Sequence, residues 1–103
     1  MTFFNQLQSS TEQERQVLFS APIIEHALRG DIQKEQYVAF LTQAYHHVKH
    51  TVPLLMACGS RLGSKHEWLR TAIAEYIEEE LGHEEWILSD IAACGGDAEK
   101  VRH

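Results

Sequence analysis

The stretch from residue 64 to residue 95 constrains the fold of this chain more than any other. It reads SKHEWLRTAIAEYIEEELGHEEWILSDIAACG, and its apolar residues recur at steps of three and four. They are Leu69, Ala72, Ile73, Tyr76, Trp86, Ile87 and Ile91. This spacing predicts one long amphipathic α-helix whose apolar stripe faces a core.

The same stripe carries carboxylates and an imidazole between its two apolar runs. At about 100° per residue, Glu79 and His83 share one face at a spacing of four, and Glu80 and His83 share it at a spacing of three. Such groups are costly in a core unless each has a partner. Helical Glu and His at this spacing bind iron or manganese in carboxylate proteins. The pattern is more often a solvated charge run with His83 at its boundary, because such spacings arise easily by chance in a Glu-rich helix, and spacing alone leaves both interpretations open.

A second long helix is predicted over residues 32–59, preceded by short helices in the first thirty residues. Pro53 lies inside this helix and removes a backbone hydrogen bond, which predicts a kink with room beside it. Three histidines come just before the kink. We expect His47 to face the pocket and interpret His46 and His50 as surface residues.

Length and charge exclude several classes of protein. A chain of 103 residues forms one small domain, here expected to span 1–103. The net charge of −6 and the absence of a basic patch argue against nucleic acid and anionic membranes as partners. No window approaches the roughly 18 apolar residues of a membrane span. Two cysteines without C-x-x-C spacing, and no export signal, predict buried, reduced thiols in a cytoplasmic protein.

Two strings resemble the N-terminal half of the heme-oxygenase-like superfamily, in particular its TenA and PqqC branch and the related di-iron oxidases. The first is GDIQKEQYVAFLTQAYHHVKHTVPLL, which is similar to the family's entry into its second long helix. The second is EEELGHEEWILSDIAACGGD, which is similar to the next long helix and the loop after it. The resemblance covers nearly the whole chain.

The resemblance implies an all-α bundle truncated to about its first half, with two long helices plus short N-terminal ones. It also implies that Glu79 and His83 are metal ligands, with Glu80 as the alternative glutamate, and that the cofactor is iron, as one ion or two. The family's remaining ligands belong to a second half that is not in this sequence. Thiamin-degrading relatives have an aspartate where this chain has Ala44, so the motif argues against thiaminase activity.

Three hypotheses about function follow. In the first, the chain derives from a non-heme iron or di-iron oxidase of a small organic molecule, with His47 and Tyr76 in the pocket. In the second, a cofactor-free TenA- or PqqC-like enzyme binds a heteroaromatic compound, and His83 and Glu79 move protons or orient the substrate. In the third, the chain is a non-catalytic helical module that forms a homodimer or a larger homo-oligomer through exposed apolar faces.

Overall fold

The computed structural model describes all 103 residues, and they form helices and no strand. The eight α-helices are α1 (Phe3–Ser10), α2 (Glu12–Phe19), α3 (Pro22–Leu28), α4 (Lys34–Val48), α5 (Thr51–Arg61), α6 (Glu67–Glu80), α7 (His83–Ala93) and α8 (Ala98–Arg102). The predicted all-α class is confirmed. The chain divides into two compact units, residues 1–36 and 37–103, and its organisation as a single domain stays a prediction.

The first unit consists of α1, α2, α3 and the start of α4. The hydroxyl of Thr2 accepts a hydrogen bond from the Asn5 N–H at 3.1 Å and so caps α1. Pro22 occupies the first turn of α3, where a missing N–H costs nothing. None of α1, α2 and α3 contains a buried residue.

The prediction of one helix over 64–95 is wrong, because α6 ends at Glu80 and α7 begins at His83. Leu81 leaves the helical region with a ψ of 123°, and Gly82 has a φ of 89°. Only glycine enters this left-handed region without steric cost. The apolar residues keep their helical spacing across the break, so the spacing does not predict it. Gly82 alone does not predict it either, because a glycine destabilises a helix by only about 1 kcal/mol.

The prediction of one helix over 32–59 is also wrong, because α4 and α5 are separated at Lys49 and His50. The helix is interrupted over these two residues, just before Pro53, although His50 keeps a right-handed helical backbone with φ −92° and ψ −8°. Pro53 is the third residue of α5. Its missing N–H falls in the first turn of a new helix, where that group has no partner within the helix.

The hydrophobic core of residues 37–103 joins α4 to α7. Its buried members are Leu41 and Tyr45 of α4 with Leu88 and Ile91 of α7, and the side chain of Ile91 is fully buried. Val38, Ile87, Ala98 and Val101 pack against them. Burial of these apolar side chains fixes α7, and with it the position of His83 at its first turn.

A second contact joins α5 to α6 through Gly59 and Arg70. A Cβ at Gly59 would lie 3.5 Å from Cγ2 of Ile73, so the two helices approach closely here. The Arg70 Nε donates to the Gly59 carbonyl at 3.0 Å, and its Nη2 donates to the Leu62 carbonyl. Because the last carbonyls of a helix lack partners within the helix, Arg70 completes the end of α5 and anchors α6.

Three further findings concern the cysteines and the membrane. Cys58 is exposed, Cys94 is half-buried, and neither forms a disulfide, so the prediction of buried thiols is wrong. No helix combines the length and the apolar character needed to cross a bilayer. The cytoplasmic location stays a prediction.

Candidate functional site

Glu80 and His83 meet across the break between α6 and α7. His83 Nδ1 lies 3.1 Å from Glu80 Oε2, within hydrogen-bond distance. The side chains are 21% and 31% exposed, so both are largely removed from solvent. The left-handed Gly82 turns the backbone so that the last residue of α6 and the first of α7 face each other.

The register of α6 explains why Glu80 rather than Glu79 makes this contact. Glu80 follows the buried Ile73 by seven residues, which is about two turns, and therefore continues the buried side of the helix. Glu79 is about 100° away from it and is exposed.

Trp86 forms the other wall around His83. The centres of the two rings are 4.4 Å apart and their planes are inclined by 36°. The indole is 65% exposed, so the prediction that Trp86 belongs to the core is wrong. Trp86 follows His83 by three residues, and this spacing predicts that the two side chains are neighbours on one face of a helix.

Tyr76 and Leu81 border the pair but are open to solvent. Tyr76, one turn before Glu80, is 46% exposed, and Leu81 in the break is 59% exposed. The sequence placed Tyr76 in the core and in a ligand pocket. Its exposure contradicts the first expectation and leaves the second a prediction.

His47 lies in a different place. It is exposed and lines an open groove of about 560 Å³. The other lining residues are His46, His50, Thr51, Leu54 and Leu55. His46 and His50 are exposed, as interpreted from the sequence, and the role of His47 in a ligand pocket stays a prediction. Glu80, His83 and Tyr76 do not line this groove.

An ion pair near Glu80 and His83 in the sequence keeps Glu85 in its charged form. Arg102 of α8 donates two hydrogen bonds to the carboxylate of Glu85 in α7. These bonds lower the pKa of Glu85, and the carboxylate in turn raises the pKa of Arg102. Glu85 is therefore already neutralised by a cation from its own chain.

The Glu80–His83 pair has the chemistry of a metal half-site. Carboxylate and imidazole donors suit iron. Oε2 of Glu80 and Nδ1 of His83 are 3.1 Å apart, close enough that both would reach one ion. No group of three or more His, Cys, Asp and Glu side chains in the chain is arranged to hold a metal. The donor types of this pair fit iron.

Comparisons with known proteins point to the same chemistry. The model of a family described as "Iron-containing redox enzyme", within the heme-oxygenase-like superfamily, matches residues 38–103. This match covers more than half of the chain and includes α5, α6, α7 and α8. Searches of curated proteins and of solved structures gave no match. The chain, with its helical fold and its half-buried Glu80–His83 pair, belongs to the heme-oxygenase-like family of iron-containing redox enzymes.

Proposed function

We propose that this chain belongs to a non-heme iron oxidase of small organic molecules and that Glu80 and His83 are iron ligands. The observation that carries the proposal is the 3.1 Å contact between Glu80 Oε2 and His83 Nδ1, in a half-buried position of a chain from an iron-containing redox family. Glu79, the other candidate, is exposed and forms no bond with His83. Bound iron would supply the redox change and, through its open coordination positions, the activation of dioxygen.

The residues of the chain orient and shield the donors. In the metal-free protein the Glu80 carboxylate holds the His83 imidazole through Nδ1, and this hydrogen bond would be replaced when both atoms bind iron. Trp86 covers one face of that ring and keeps water from it. Oε2 of Glu80 and Nδ1 of His83 are 3.1 Å apart, so the two side chains need little movement to bind a common ion. Folding has already restricted their conformations, which lowers the entropy cost of binding.

Substrate binding belongs to the same proposal. Tyr76 stands one turn before Glu80 and offers an aromatic face and a hydroxyl near the donors. His47 lines the groove of about 560 Å³, a volume in the range of small-molecule sites. We assign Tyr76 to substrate binding near iron and His47 to the separate groove.

The test is iron content after anaerobic purification with added Fe(II). Elemental analysis of the wild-type protein is expected to find bound iron, and Glu80→Gln and His83→Gln are each expected to lose most of it. Glu79→Gln is the matched control, because it removes the same charge from the neighbouring, exposed position. Equal iron binding by the wild type and Glu80→Gln would contradict the assignment.

A second candidate function is supported by the same hydrogen bond. A carboxylate that orients an imidazole is a common arrangement for general acid–base catalysis, and it needs no metal. The chain would then act as a cofactor-free enzyme of the TenA or PqqC type on a heteroaromatic substrate. Absence of iron from the wild type, together with binding of a heteroaromatic probe that Glu80→Gln weakens, would favour this alternative.

A further inference from the structure

The groove at the junction of α4 and α5 contains three histidines and no carboxylate. It has a volume of about 560 Å³. Its lining residues are His46, His47, His50, Thr51, Leu54 and Leu55. All of them belong to one compact unit, residues 37–103, and neither Glu80 nor His83 is among them. The groove is therefore a second candidate site, distinct from the Glu80–His83 pair.

The three histidines of the groove have no carboxylate partner. Elsewhere in the chain, three histidines lie 3.8 Å or less from a carboxylate, as His83 does from Glu80. No ring nitrogen of His46, His47 or His50 forms such a contact, and the three imidazoles are not arranged to hold a metal ion together. An imidazole donates a hydrogen bond from at least one nitrogen, whether it is neutral or protonated. The groove therefore offers several donors that the protein itself does not use.

The sequence that forms the groove contains no acidic residue. The chain has 15 aspartates and glutamates, and all of them lie in residues 1–35 and 67–103. Residues 36–66, which include the whole groove, carry three permanent cations, Lys49, Arg61 and Lys65. In a protein of net charge −6, this segment lacks the carboxylates that would repel an anion. The charge of the segment is therefore complementary to an anionic ligand.

An apolar wall adjoins the hydrogen-bond donors. Leu54 and Leu55 follow Thr51 by three and four residues, one turn further along α5. Leu54 is 67% exposed, so a ligand that covers it removes apolar surface from water. At the polar end, the ring of His46 lies edge-on to the buried ring of Tyr45, with 5.6 Å between their centres. A ligand that uses both ends of the groove carries a negative group and a short apolar part.

We propose that the groove binds a small organic carboxylate, with the carboxylate group at His47 and His50 and the apolar part against Leu54 and Leu55. Both oxygens of a carboxylate accept hydrogen bonds, and bonds to an ionised acceptor are roughly twice as strong as neutral ones. The inference goes beyond the proposed function, because it gives the groove a ligand of its own and does not depend on iron.

The test is an NMR titration of the full chain in EDTA with three probes, benzoate, benzamide and inorganic phosphate. Benzamide has the shape of benzoate without its charge, and phosphate has a charge without an apolar part. Benzoate is expected to bind about tenfold more tightly than either of the other two, because it alone uses both ends of the groove. Equal binding of benzoate and benzamide, or of benzoate and phosphate, would overturn the inference.

Variants of the lining residues locate the site. His47→Phe and His50→Phe each keep a flat ring but remove its nitrogens, and each is expected to weaken benzoate binding by about fivefold or more. His66→Phe is the matched control, because His66 is exposed and lies outside the groove, and it is expected to bind benzoate like the wild type. Leu54→Ala is expected to weaken benzoate binding by about threefold. Equal weakening in His66→Phe and His50→Phe would contradict the assignment.

The imidazole signals of the wild type provide a check that needs no folded variant. Benzoate is expected to shift the ring signals of His47 and His50 and to leave that of His66 unchanged. Shifts at His83 without shifts in the groove would place the ligand elsewhere and overturn the inference. Because the titration contains no metal, its failure leaves Glu80 and His83 as the proposed iron ligands. Binding of benzoate in the groove by a protein that takes up no iron would support this inference and contradict the proposed function.

Discussion

Arg102 and Glu85, seventeen residues apart, form a two-bond ion pair that ties α8 to α7. The Arg102 Nη1 donates to Glu85 Oε1 at 2.7 Å, and its Nη2 donates to Oε2 at 2.9 Å. Parallel bonds of this kind have defined geometry and are stronger than single neutral ones. The five-residue α8 is too short to be stable by itself, so its order depends on this pair and on the packing of Val101 and Ala98.

The first prediction concerns this ion pair and pH. The pKa of Glu85 is lower in the folded protein than in the unfolded chain, so the ionised group stabilises the fold above the unfolded pKa, about 4.3. That contribution is lost as pH falls through the lower, folded pKa. Glu85→Gln is therefore expected to increase hydrogen exchange in α8 at neutral pH, and this effect is expected to shrink as the pH falls through the folded pKa of Glu85. Glu75→Gln, at an exposed position without an ion pair, is the control; equal exchange in both variants at neutral pH would contradict the prediction.

The second prediction concerns the core between α4 and α7. Ile91 is fully buried, and Ile91→Ala is expected to lower the free energy of unfolding by about 2–5 kcal/mol, because a cavity replaces its methyl groups. Leu54→Ala, at a side chain that is 67% exposed, is expected to cost less than about 1 kcal/mol. Urea unfolding followed by circular dichroism measures both. A similar loss in the two variants would contradict the assigned core.

The third prediction concerns the break between α6 and α7. Gly82 has a φ of 89° and open space around the position of a Cβ, so backbone strain is the reason for glycine here. Gly82→Ala is expected to destabilise the fold by about 1–2 kcal/mol. Gly63, with a φ of −82° and equally open space, is the matched control. Gly63→Ala is expected to be neutral or to stabilise by up to about 1 kcal/mol, as measured by urea unfolding.

The same substitution bears on the metal site. If Gly82→Ala straightens the chain into one helix, Glu80 and His83 still share one face at a spacing of three. Iron content is then expected to be kept in both Gly82→Ala and Gly63→Ala. Loss of iron from a folded Gly82→Ala variant would show that the left-handed turn is required for the ligand geometry.

The fourth prediction concerns the contact between α5 and α6. Arg70 donates to the carbonyls of Gly59 and Leu62 at the end of α5. Arg70→Met keeps most of the length of the side chain but removes the guanidinium donors, so that the Gly59 carbonyl keeps only the 3.4 Å hydrogen bond from the Leu62 N–H. This substitution is expected to cost about 1–3 kcal/mol. Arg61→Met, at an exposed residue of α5, is the control and is expected to be within about 0.5 kcal/mol of the wild type. Thermal and urea unfolding of the two variants provide the comparison.

Much of the local structure could be predicted from single residues and short spacings. The apolar steps of three and four identified the chain as all-α, and Pro22 marked the first turn of α3. Asp97 accepts a hydrogen bond from the Lys100 N–H at 3.1 Å and caps α8. These features depend on backbone geometry within one turn of helix, which is why the sequence alone reveals them.

The candidate site was predicted in part. Glu80, His83 and their common face followed from the helical period, but the sequence left Glu79 and Glu80 as alternatives. The tertiary structure decided between them for the contact with His83, because the burial of Ile73 against Gly59 sets which side of α6 faces inward. The sequence assigned Trp86 to the core because the helical period identifies an apolar stripe. Only the packing of the helices shows which residues of that stripe are buried, and Trp86 is not one of them.

The sequence alone therefore established the helical class, the family resemblance and the small group of residues from which a metal ligand set can be drawn. Only the tertiary structure decided where the two long helical patterns break and which glutamate meets His83. The physical reason is the difference between two free energies. A glycine in a helix costs about 1 kcal/mol, and burying one large apolar side chain such as Leu88 or Ile91 contributes about 1.5–3 kcal/mol, so packing between helices overrides the local pattern.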